Sequence, residues 1–257
     1  MQSRSRPADW KTQLEDVKGR RVVVSGGTTG IGRTVAALLL HHGARVLVFS
    51  RERQHVEEAM ADLEPLGEVH GMTAHAENEQ DLDAVFERAD AVLGGLDVMI
   101  NNAGVAGGTV AEDEPQDFRQ VLEINVAGYL SAAHRAIPRL KKTRGTLINI
   151  GSMSAQSRNP GSDVYVATKS AIRGWTQSLA QHVCEDGIRV TLIEPGLVGA
   201  DIHDDEKRQP QRQRELHAQG EMLFSESIAE AVLYVLQQPP ECHVPMLQVQ
   251  PVKRQSL

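Results

Sequence analysis

The sequence predicts an α/β fold, with one doubly wound parallel β-sheet and helices on both faces. Short apolar runs alternate along the chain with longer amphipathic segments, which is typical of strand and helix units. The runs are apolar at consecutive positions, as expected of strands buried on both faces. Neither a repeat nor a Pro/Gly/Ser-rich linker interrupts the alternation. We therefore expect a single domain at residues 16–257, preceded by an N-terminal extension at residues 1–15.

The predicted elements follow one another without a break. RVVVS at residues 21–25 has the β-branched composition of a strand, and the glycines after it begin a turn into the apolar helix IGRTVAALLLHH. Gly43 ends that helix, and RVLVFS at residues 45–50 is a second strand, followed by an amphipathic helix at residues 52–63. Further strands are predicted at residues 68–73, 96–101, 146–151, 188–194 and 246–249, with helical patterns between them.

Charge and composition exclude several classes of protein. With a formal net charge of -7 the chain lacks an obvious basic face, so we expect no nucleic-acid partner. The first residues lack an apolar signal segment and no later run is long enough to span a membrane, so we expect a cytoplasmic protein without a membrane partner. Cys184 and Cys242 provide neither a disulfide framework nor the spacing of metal ligands. We interpret both as structural and expect no metal.

A glycine-rich turn, SGGTTGIG at residues 25–32, lies between the first strand and the first helix. Gly26 permits the tight turn, Gly30 lets the backbone approach a pyrophosphate, and Gly32 allows the helix to pack closely on the strand. The exposed N–H groups and the positive end of the helix then favour phosphates. The alternative is a turn that only connects strand and helix.

The end of the second strand indicates which dinucleotide is preferred. A free ribose 2'-hydroxyl is usually met there by an acidic residue, whereas a 2'-phosphate calls for arginine. Here Ser50 and Arg51 follow Phe49, so NADP(H) is favoured and NAD(H) is an alternative. The opposing interpretation is that Arg51 only lies in water. Arg33 and Arg53 are weaker candidates.

Tyr165 and Lys169 are four residues apart in an apolar helical pattern, so they share one face of a helix. A neighbouring ammonium favours the phenolate and would move the tyrosine pKa from roughly 10 towards working pH. Tyr165 would then pass a proton to a carbonyl oxygen. The spacing also arises by chance in purely structural helices, so the neighbouring signals matter.

Two other polar positions lie near this pair in the predicted fold. Ser152 follows a strand, where ligands collect in open α/β sheets, and its hydroxyl would bind a substrate oxygen; a helix or turn cap is the alternative. Asn125 lies inside an apolar helix, where an unpartnered amide would be costly, so backbone or ordered water must supply its partner.

Taken together in this order, the motifs resemble those of the classical short-chain dehydrogenase/reductase family over roughly residues 17–250. The family's TGxxxGxG is matched at residues 25–32 with Ser for Thr, its NNAG at residues 101–104, and its serine, YxxxK and PG at Ser152, Tyr165 with Lys169, and Pro195 with Gly196. The resemblance implies a Rossmann-like sheet, a carbonyl or alcohol as small-molecule substrate, and a homo-oligomer, either tetramer or dimer. It implies a catalytic tetrad of Asn125, Ser152, Tyr165 and Lys169, in which Asn125 helps to hold a water of the proton relay and Lys169 also binds the nicotinamide ribose.

The cofactor contacts that the motifs and the resemblance imply extend along the whole carboxyl edge of the sheet. They are Ser25, Gly26, Thr28, Thr29, Gly30, Ile31, Gly32, Ser50, Arg51, His75, Ala76, Asn102, Ala103, Gly104, Tyr165, Lys169, Pro195, Gly196 and Val198.

Two residues depart from the family's pattern. His75 stands where relatives often place an Asp that contacts adenine, and it can still donate a hydrogen bond. Ala200 stands near the position of a Thr that binds the carboxamide, so we expect the backbone of Val198 to make that contact. Neither departure removes a residue of the tetrad.

The substrate and the role of one polar segment stay open at this stage. Residues 201–220 are too polar for a core, so the region 201–222 is either a solvated surface helix or a lid over the substrate. The substrate is a 3-oxoacyl thioester, a sugar, a steroid or a small ketone. We expect an oxidoreductase; a dehydrogenase that prefers NAD(H) and a non-catalytic NADP(H)-binding sensor or scaffold are the alternatives.

Overall fold

The structure, a computed structural model, describes residues 14–157, 161–199 and 210–253. In these ranges seven parallel strands form one sheet in the spatial order β3-β2-β1-β4-β5-β6-β7. The strands are β1 (Arg21–Ser25), β2 (Arg45–Ser50), β3 (Val69–Thr73), β4 (Val98–Asn101), β5 (Thr146–Ile150), β6 (Arg189–Pro195) and β7 (Met246–Val249). The predicted sheet is confirmed, and no strand bound differs from its prediction by more than two residues.

Helices cover both faces of this sheet, as predicted. They are α1 (Gly30–His41), α2 (Arg53–Leu63), α3 (Glu79–Leu93), α4 (Pro115–Leu122), α5 (Gly128–Thr143), α6 (Ser154–Ser157), α7 (Asp163–Val183), α8 (Pro210–Gln219) and α9 (Ser225–Leu236). A π-helical turn, Glu123–Ala127, joins α4 to α5. The cores show α1, α2 and α9 packed on one face and α3, α5 and α7 on the other.

The alternation of side chains along each strand divides the apolar residues between these two cores. In β1, Val22 and Val24 pack with α1 residues such as Leu39, whereas Val23 packs in the opposite core with α3 residues such as Phe86. Because both faces are covered, most positions of such a strand are apolar, and a polar residue there needs a buried partner. This requirement explains why the strands read as continuous apolar runs in the sequence.

The strand order places the loops of interest at one edge. The chain builds β1, β2 and β3 outward in one direction and then returns to β4 on the other side of β1. The order therefore reverses between β1 and β4, and open α/β sheets bind ligands at such a point, beyond the carboxyl ends of the strands. Ser25 and Asn101, the last residues of β1 and β4, both lie there.

Two predicted segments fall largely outside the described residues. Of the N-terminal extension only residues 14 and 15 are described, and residues 200–209, Ala200 among them, are not. The second half of the proposed lid forms α8, whose Leu216 is fully buried. This part of the segment packs on the domain, and the lid itself stays a prediction. No helix within the described ranges is long and apolar enough to cross a membrane.

The glycine-rich turn allows a test of how tightly it is packed. Gly26 has φ +60°, and a Cβ there would lie 2.9 Å from the Cα of Ala103, whereas Gly94 has φ +79° and open space around it. Both Gly26→Ala and Gly94→Ala should lose about 1–2 kcal/mol of unfolding free energy to backbone strain. Gly26→Ala should lose a further ~1–3 kcal/mol because the added methyl overpacks the loop. Urea unfolding measures the difference, and equal losses in the two variants would contradict this account.

Candidate active site

Hydrogen bonds join the residues that follow β1 and β4 into one surface, which we call the platform; it consists of residues 25–26 and 102–103. The Ser25 hydroxyl accepts hydrogen bonds from the backbone N–H groups of Asn102 and Ala103, at 3.0 and 3.1 Å. The Asn102 side chain in turn donates to the carbonyl oxygens of Ser25 and Gly26, at 3.2 and 3.1 Å. Ser25 and Asn102 therefore use their side chains to shape the turn.

The start of α1 presents bare backbone at this platform. Thr29 precedes the helix in an extended conformation, its side chain makes no capping hydrogen bond, and the first turn from Gly30 holds no acidic residue. A side chain at Gly32 would collide with the carbonyl oxygen of Gly26, so helix and turn approach closely only with glycine there. Unpaired N–H groups at a helix N-terminus attract anions. The residues from Gly26 to Gly32, Thr28 and Ile31 included, thus fit a dinucleotide pyrophosphate.

The end of β2 faces the same turn through a hydroxyl pair. The buried Thr28 side chain donates to the Ser50 hydroxyl at 2.8 Å. Next to it, the Arg51 side chain is 48% exposed, and its Nε lies 3.4 Å from a carboxylate oxygen of its neighbour Glu52. The geometry therefore brings Ser50 to the turn and leaves the Arg51 guanidinium accessible to an anionic group.

The two weaker arginine candidates are engaged elsewhere. Arg53 bonds Glu57 one helical turn away at 2.8 Å, and Arg33 pairs with Asp62 of α2. Both guanidiniums stabilise helix surfaces, which leaves Arg51 as the stronger candidate at this strand end.

The loop after β3 lies beside Ser50. The N–H of Ala74 donates to the Ser50 carbonyl at 2.9 Å, and the N–H of His75 donates to the Asp81 carboxylate at 2.8 Å. The His75 side chain is half exposed, and Ala76 follows it. The Asp81 carboxylate thus lies at this loop, where it accepts the backbone N–H of His75, the residue that departs from the family's pattern.

Tyr165 and Lys169 lie on the first turns of α7, as their spacing predicts. The Lys169 side chain is buried, its Nζ lies 5.7 Å from the Tyr165 ring centroid, and it donates to the Ile150 carbonyl oxygen at 3.0 Å. The hydroxyl of the buried Tyr129 donates to the same oxygen at 3.1 Å. One strand-end carbonyl thus fixes the lysine, and Tyr129 is a contributor that the sequence reasoning missed.

Burial shifts both titratable groups of this pair towards their neutral forms. It raises the pKa of the Tyr165 phenol, and hydrogen bonding by the Ser152 side chain lowers it by less. It also lowers the pKa of Lys169 from 10.5 to about 8. The expectation that Lys169 brings the tyrosine pKa down is therefore wrong for this structure. The desolvation of the phenolate is the larger effect, and the hydroxyl of Ser152 is what opposes it.

Ser152 combines this contact with a local one. Its hydroxyl accepts the backbone N–H of Ser154 at 3.1 Å, which fixes the turn that leads into α6. The cap that the sequence offered as an alternative is thus present together with the contact to Tyr165. The hydroxyl still faces the phenol, the position that binding of a substrate oxygen requires.

Asn125 lies fully buried in the π-helical turn. Its Oδ1 accepts the N–H of Val105 at 2.8 Å, and its Nδ2 donates to the Val105 carbonyl at 2.8 Å and to the Thr168 hydroxyl at 3.3 Å. The backbone of Val105 is thus the partner of the buried Asn125 amide, and of the two predicted sources, backbone and ordered water, backbone is confirmed. The side chain thus joins the loop after β4 to α7, while the water assigned to Asn125 by the resemblance stays a prediction.

A buried amide chain lies beneath the platform. Asn101 donates to the side chain of Asn149 at 2.9 Å, and Asn149 donates to the hydroxyl of Thr176 at 2.9 Å. Sequence reasoning overlooked Asn149 and Thr176, although an amide inside the apolar strand TLINI is itself a signal, because it requires buried partners.

The loop after β6 closes the site. The Pro195 carbonyl accepts the N–H of Met153, next to Ser152, at 2.8 Å, and the Gly196 N–H donates to Val249 at 2.7 Å. Val198 forms an isolated β-bridge with Leu223. In the described ranges no three His, Cys, Asp or Glu side chains are grouped as a metal site.

Comparison with known proteins agrees with this geometry. The family profile described as short chain dehydrogenase matches residues 20–211. An uncharacterised oxidoreductase of Staphylococcus aureus is 32% identical over 232 residues, which cover 90% of this chain and 96% of that protein. A farnesol dehydrogenase of Aedes aegypti is 31% identical over 244 residues, which cover 91% of this chain and 96% of that protein.

The fold is also found among solved structures. A short chain dehydrogenase from Burkholderia cenocepacia, in complex with NADP, superimposes with a TM-score of 0.81 at 25% identity. The match covers 92% of this chain and 98% of that chain.

Lys169 gives a stability prediction with a defined pH dependence. Because its folded-state pKa is lowered from 10.5 to about 8, the folded chain at pH 7 holds an ammonium that is better solvated when unfolded. Lys169→Met should therefore raise the unfolding free energy at about pH 7 by on the order of 1–3 kcal/mol, and Tyr129 still serves the Ile150 carbonyl.

This gain should shrink as pH rises from about 8 towards 10.5, since the folded lysine loses its proton there before the unfolded one does. Urea unfolding of both chains at several pH values measures it. Lys141→Met, at an exposed lysine paired with Asp186, is the control and should show no such dependence. A Lys169→Met chain less stable than wild type at pH 7 would contradict the prediction.

Proposed function

Because the chain belongs to the short chain dehydrogenase family, we propose that it transfers hydride between NADP(H) and a carbonyl or alcohol substrate, with Tyr165 as the proton donor and acceptor. The family makes it an enzyme that acts on CH–OH or C=O groups with a nicotinamide cofactor. The observation that carries the proposal is the meeting of Ser152, Tyr165 and Lys169 at the carboxyl edge of the sheet.

The choice of NADP(H) rests on the end of β2. Ser50 is neutral and faces the glycine-rich turn, and the half-exposed Arg51 beside it can form a charge-assisted bond to a 2'-phosphate. The Burkholderia cenocepacia structure, which is similar over almost the whole chain, was obtained in complex with NADP. A preference for NAD(H) is the alternative.

In the proposed reaction the protein's part is to position groups and move a proton. A bound nicotinamide would supply hydride to the carbonyl carbon, so that negative charge would build on the carbonyl oxygen. The Ser152 hydroxyl donates a hydrogen bond to that oxygen, and Tyr165 gives it a proton. Lys169 is assigned to the nicotinamide ribose and is held in place by the Ile150 carbonyl. In the oxidative direction Tyr165 takes the proton back.

The substrate pocket is bounded by the loop after β4. A Cβ at Gly107 would lie 3.0 Å from the backbone nitrogen of Tyr165, and Asp163 at the start of α7 bonds the Thr109 hydroxyl at 3.1 Å and the Val110 N–H at 3.0 Å. The loop therefore sits directly against the tyrosine. A farnesol dehydrogenase among the relatives adds an isoprenoid alcohol to the candidate substrates. We place the enzyme in the cytoplasm as a tetramer or dimer.

Cofactor preference is tested at Ser50. Ser50→Asp places a carboxylate where the 2'-phosphate is proposed to bind, so the Kd for NADPH should rise by about tenfold or more while that for NADH changes less. Ser50→Asn has a similar shape without the charge and is the control. Fluorescence titration of both cofactors measures the constants. Equal affinity of the wild-type chain for NADPH and NADH would overturn the assignment.

The proton-transfer role is tested at Tyr165. Tyr165→Phe keeps the ring and removes the acid, so kcat should fall by about 10² to 10⁴ with NADPH affinity unchanged. Tyr129→Phe, also a buried tyrosine near Lys169, is the matched control and should lose far less. Lys169→Ala should lose both turnover and NADPH affinity.

The assay is NADPH absorbance with a panel of farnesal, acetoacetyl-coenzyme A, a ketose, a steroid ketone and a small cyclic ketone. If Tyr165→Phe turned over any of these at nearly the wild-type rate, another group would have to be the proton donor.

A further inference from the structure

Four polar side chains meet beside Ser152 and have no part in the proposed chemistry. We call them the Arg173 network; they are Gln156 of α6, Arg173 of α7, Glu194 of β6 and Gln248 of β7. The Glu194 carboxylate lies 3.5 Å from the Arg173 guanidinium and accepts a hydrogen bond from Gln248 at 2.8 Å. Glu194 and Gln248 are also register partners in the sheet.

Gln156 completes the network from the other side. We assign its amide oxygen to the side of the guanidinium, because the opposite orientation sets donors against donors. In this orientation the oxygen accepts from Nη2 of Arg173 at 2.9 Å and from Gln248. Arg173 lies one helical turn after Lys169 on α7. The network therefore joins the short helix that follows Ser152 to the helix that carries the tyrosine and lysine.

Burying the Glu194 carboxylate costs folding free energy, so a structural or functional reason for its position is needed. The residue is fully buried, and its Oε1 has no hydrogen-bond partner among the described residues. Transferring a carboxylate from water into such a site is unfavourable, and a buried ion pair recovers that cost only with good geometry. An apolar residue here would fill the space at lower cost. The Arg173–Glu194 ion pair is therefore better explained by the backbone that it positions than by a gain in unfolding free energy.

The ion pair lies against the backbone around Ser152. The N–H of Gly151 donates to the Ile193 carbonyl at 2.7 Å and that of Met153 to the Pro195 carbonyl at 2.8 Å, so the serine loop is bonded on both sides of Glu194. The Glu194 side chain packs against Gly151 itself, where a Cβ would lie 3.2 Å from Cγ of the glutamate.

We propose that Arg173 and Glu194 are positioning residues that set the Ser152 hydroxyl relative to the Tyr165 phenol. The ion pair fixes Glu194 against Gly151 on one side of the serine, and Arg173 fixes α6 through Gln156 on the other. This inference rests on the proposed function, because Ser152 and Tyr165 are assigned their roles there.

The first experiment needs no substrate. The double variant Arg173→Met/Glu194→Gln removes the ion pair without leaving one buried charge alone. Arg139→Met removes an ion pair with Asp90 between α3 and α5, neither of which belongs to the Arg173 network. Hydrogen exchange of the 151–157 segment should speed up by about tenfold or more in the double variant and be unchanged in the control. Unchanged exchange of that segment in the double variant would overturn the proposal.

The second experiment is a double-mutant cycle with Ser152→Ala, measured by NADPH absorbance on the carbonyl of the panel that the wild-type chain reduces fastest. The Arg173→Met/Glu194→Gln chain should lose about 10- to 100-fold in kcat with its KM for NADPH within about twofold of wild type. Adding Ser152→Ala to it should cost much less than Ser152→Ala alone costs, because both changes remove one interaction. Arg173→Lys, which keeps a positive charge opposite Glu194, should lose less of the wild-type kcat than the double variant loses.

The outcomes distinguish failure of the positioning role from failure of the proposed function. If Ser152→Ala lowers kcat but Arg173→Met/Glu194→Gln does not, or if the two losses simply multiply, the positioning role is wrong and the proposed function stands. If Ser152→Ala itself keeps the wild-type kcat, the proposed function fails and takes this inference with it.

Discussion

The carbonyl oxygen of Ile150, at the end of β5, accepts hydrogen bonds from Lys169 and from Tyr129. An amine in an apolar interior needs an acceptor within reach, and the last carbonyl of a buried strand is one that the sheet itself provides. The lysine is therefore fixed by the backbone of the sheet, and α7 is oriented by that contact. The position of Tyr165, one turn earlier on the same helix, follows from it.

The same burial that fixes this site makes it electrostatically unfavourable. The pKa of Lys169 falls and that of Tyr165 rises, so each group tends towards its neutral form in the folded chain. A phenol kept protonated is suited to donating a proton during reduction, and the Ser152 hydroxyl limits how far its pKa rises. The burial that lowers stability is thus found at the positions to which the proposed function assigns the chemistry, as is common at functional sites.

Most of the fold could be predicted from sequence, and so could the placement of Tyr165 and Lys169 on one helix, because each depends on local patterns. Strands buried on both faces are largely apolar, so their bounds were predicted closely. The spacing of Tyr165 and Lys169 on one helix determines that they share a face. The directions of the pKa shifts could not be predicted, since they depend on all the packing around the pair. Tyr129 and Glu194 were missed for the same reason: nothing in their neighbours along the chain marks them as partners of groups far away in sequence.

The Arg173 network includes Gln248, on the edge strand β7, which pairs only with β6 within the described sheet. Because synthesis runs from the N-terminus, β1 and the glycine-rich turn leave the ribosome well before Gln248 does. The nucleotide half of the domain can therefore begin to form while the support of the serine loop is still missing. The order of translation thus separates the assembly of the glycine-rich turn from the completion of the Arg173 network.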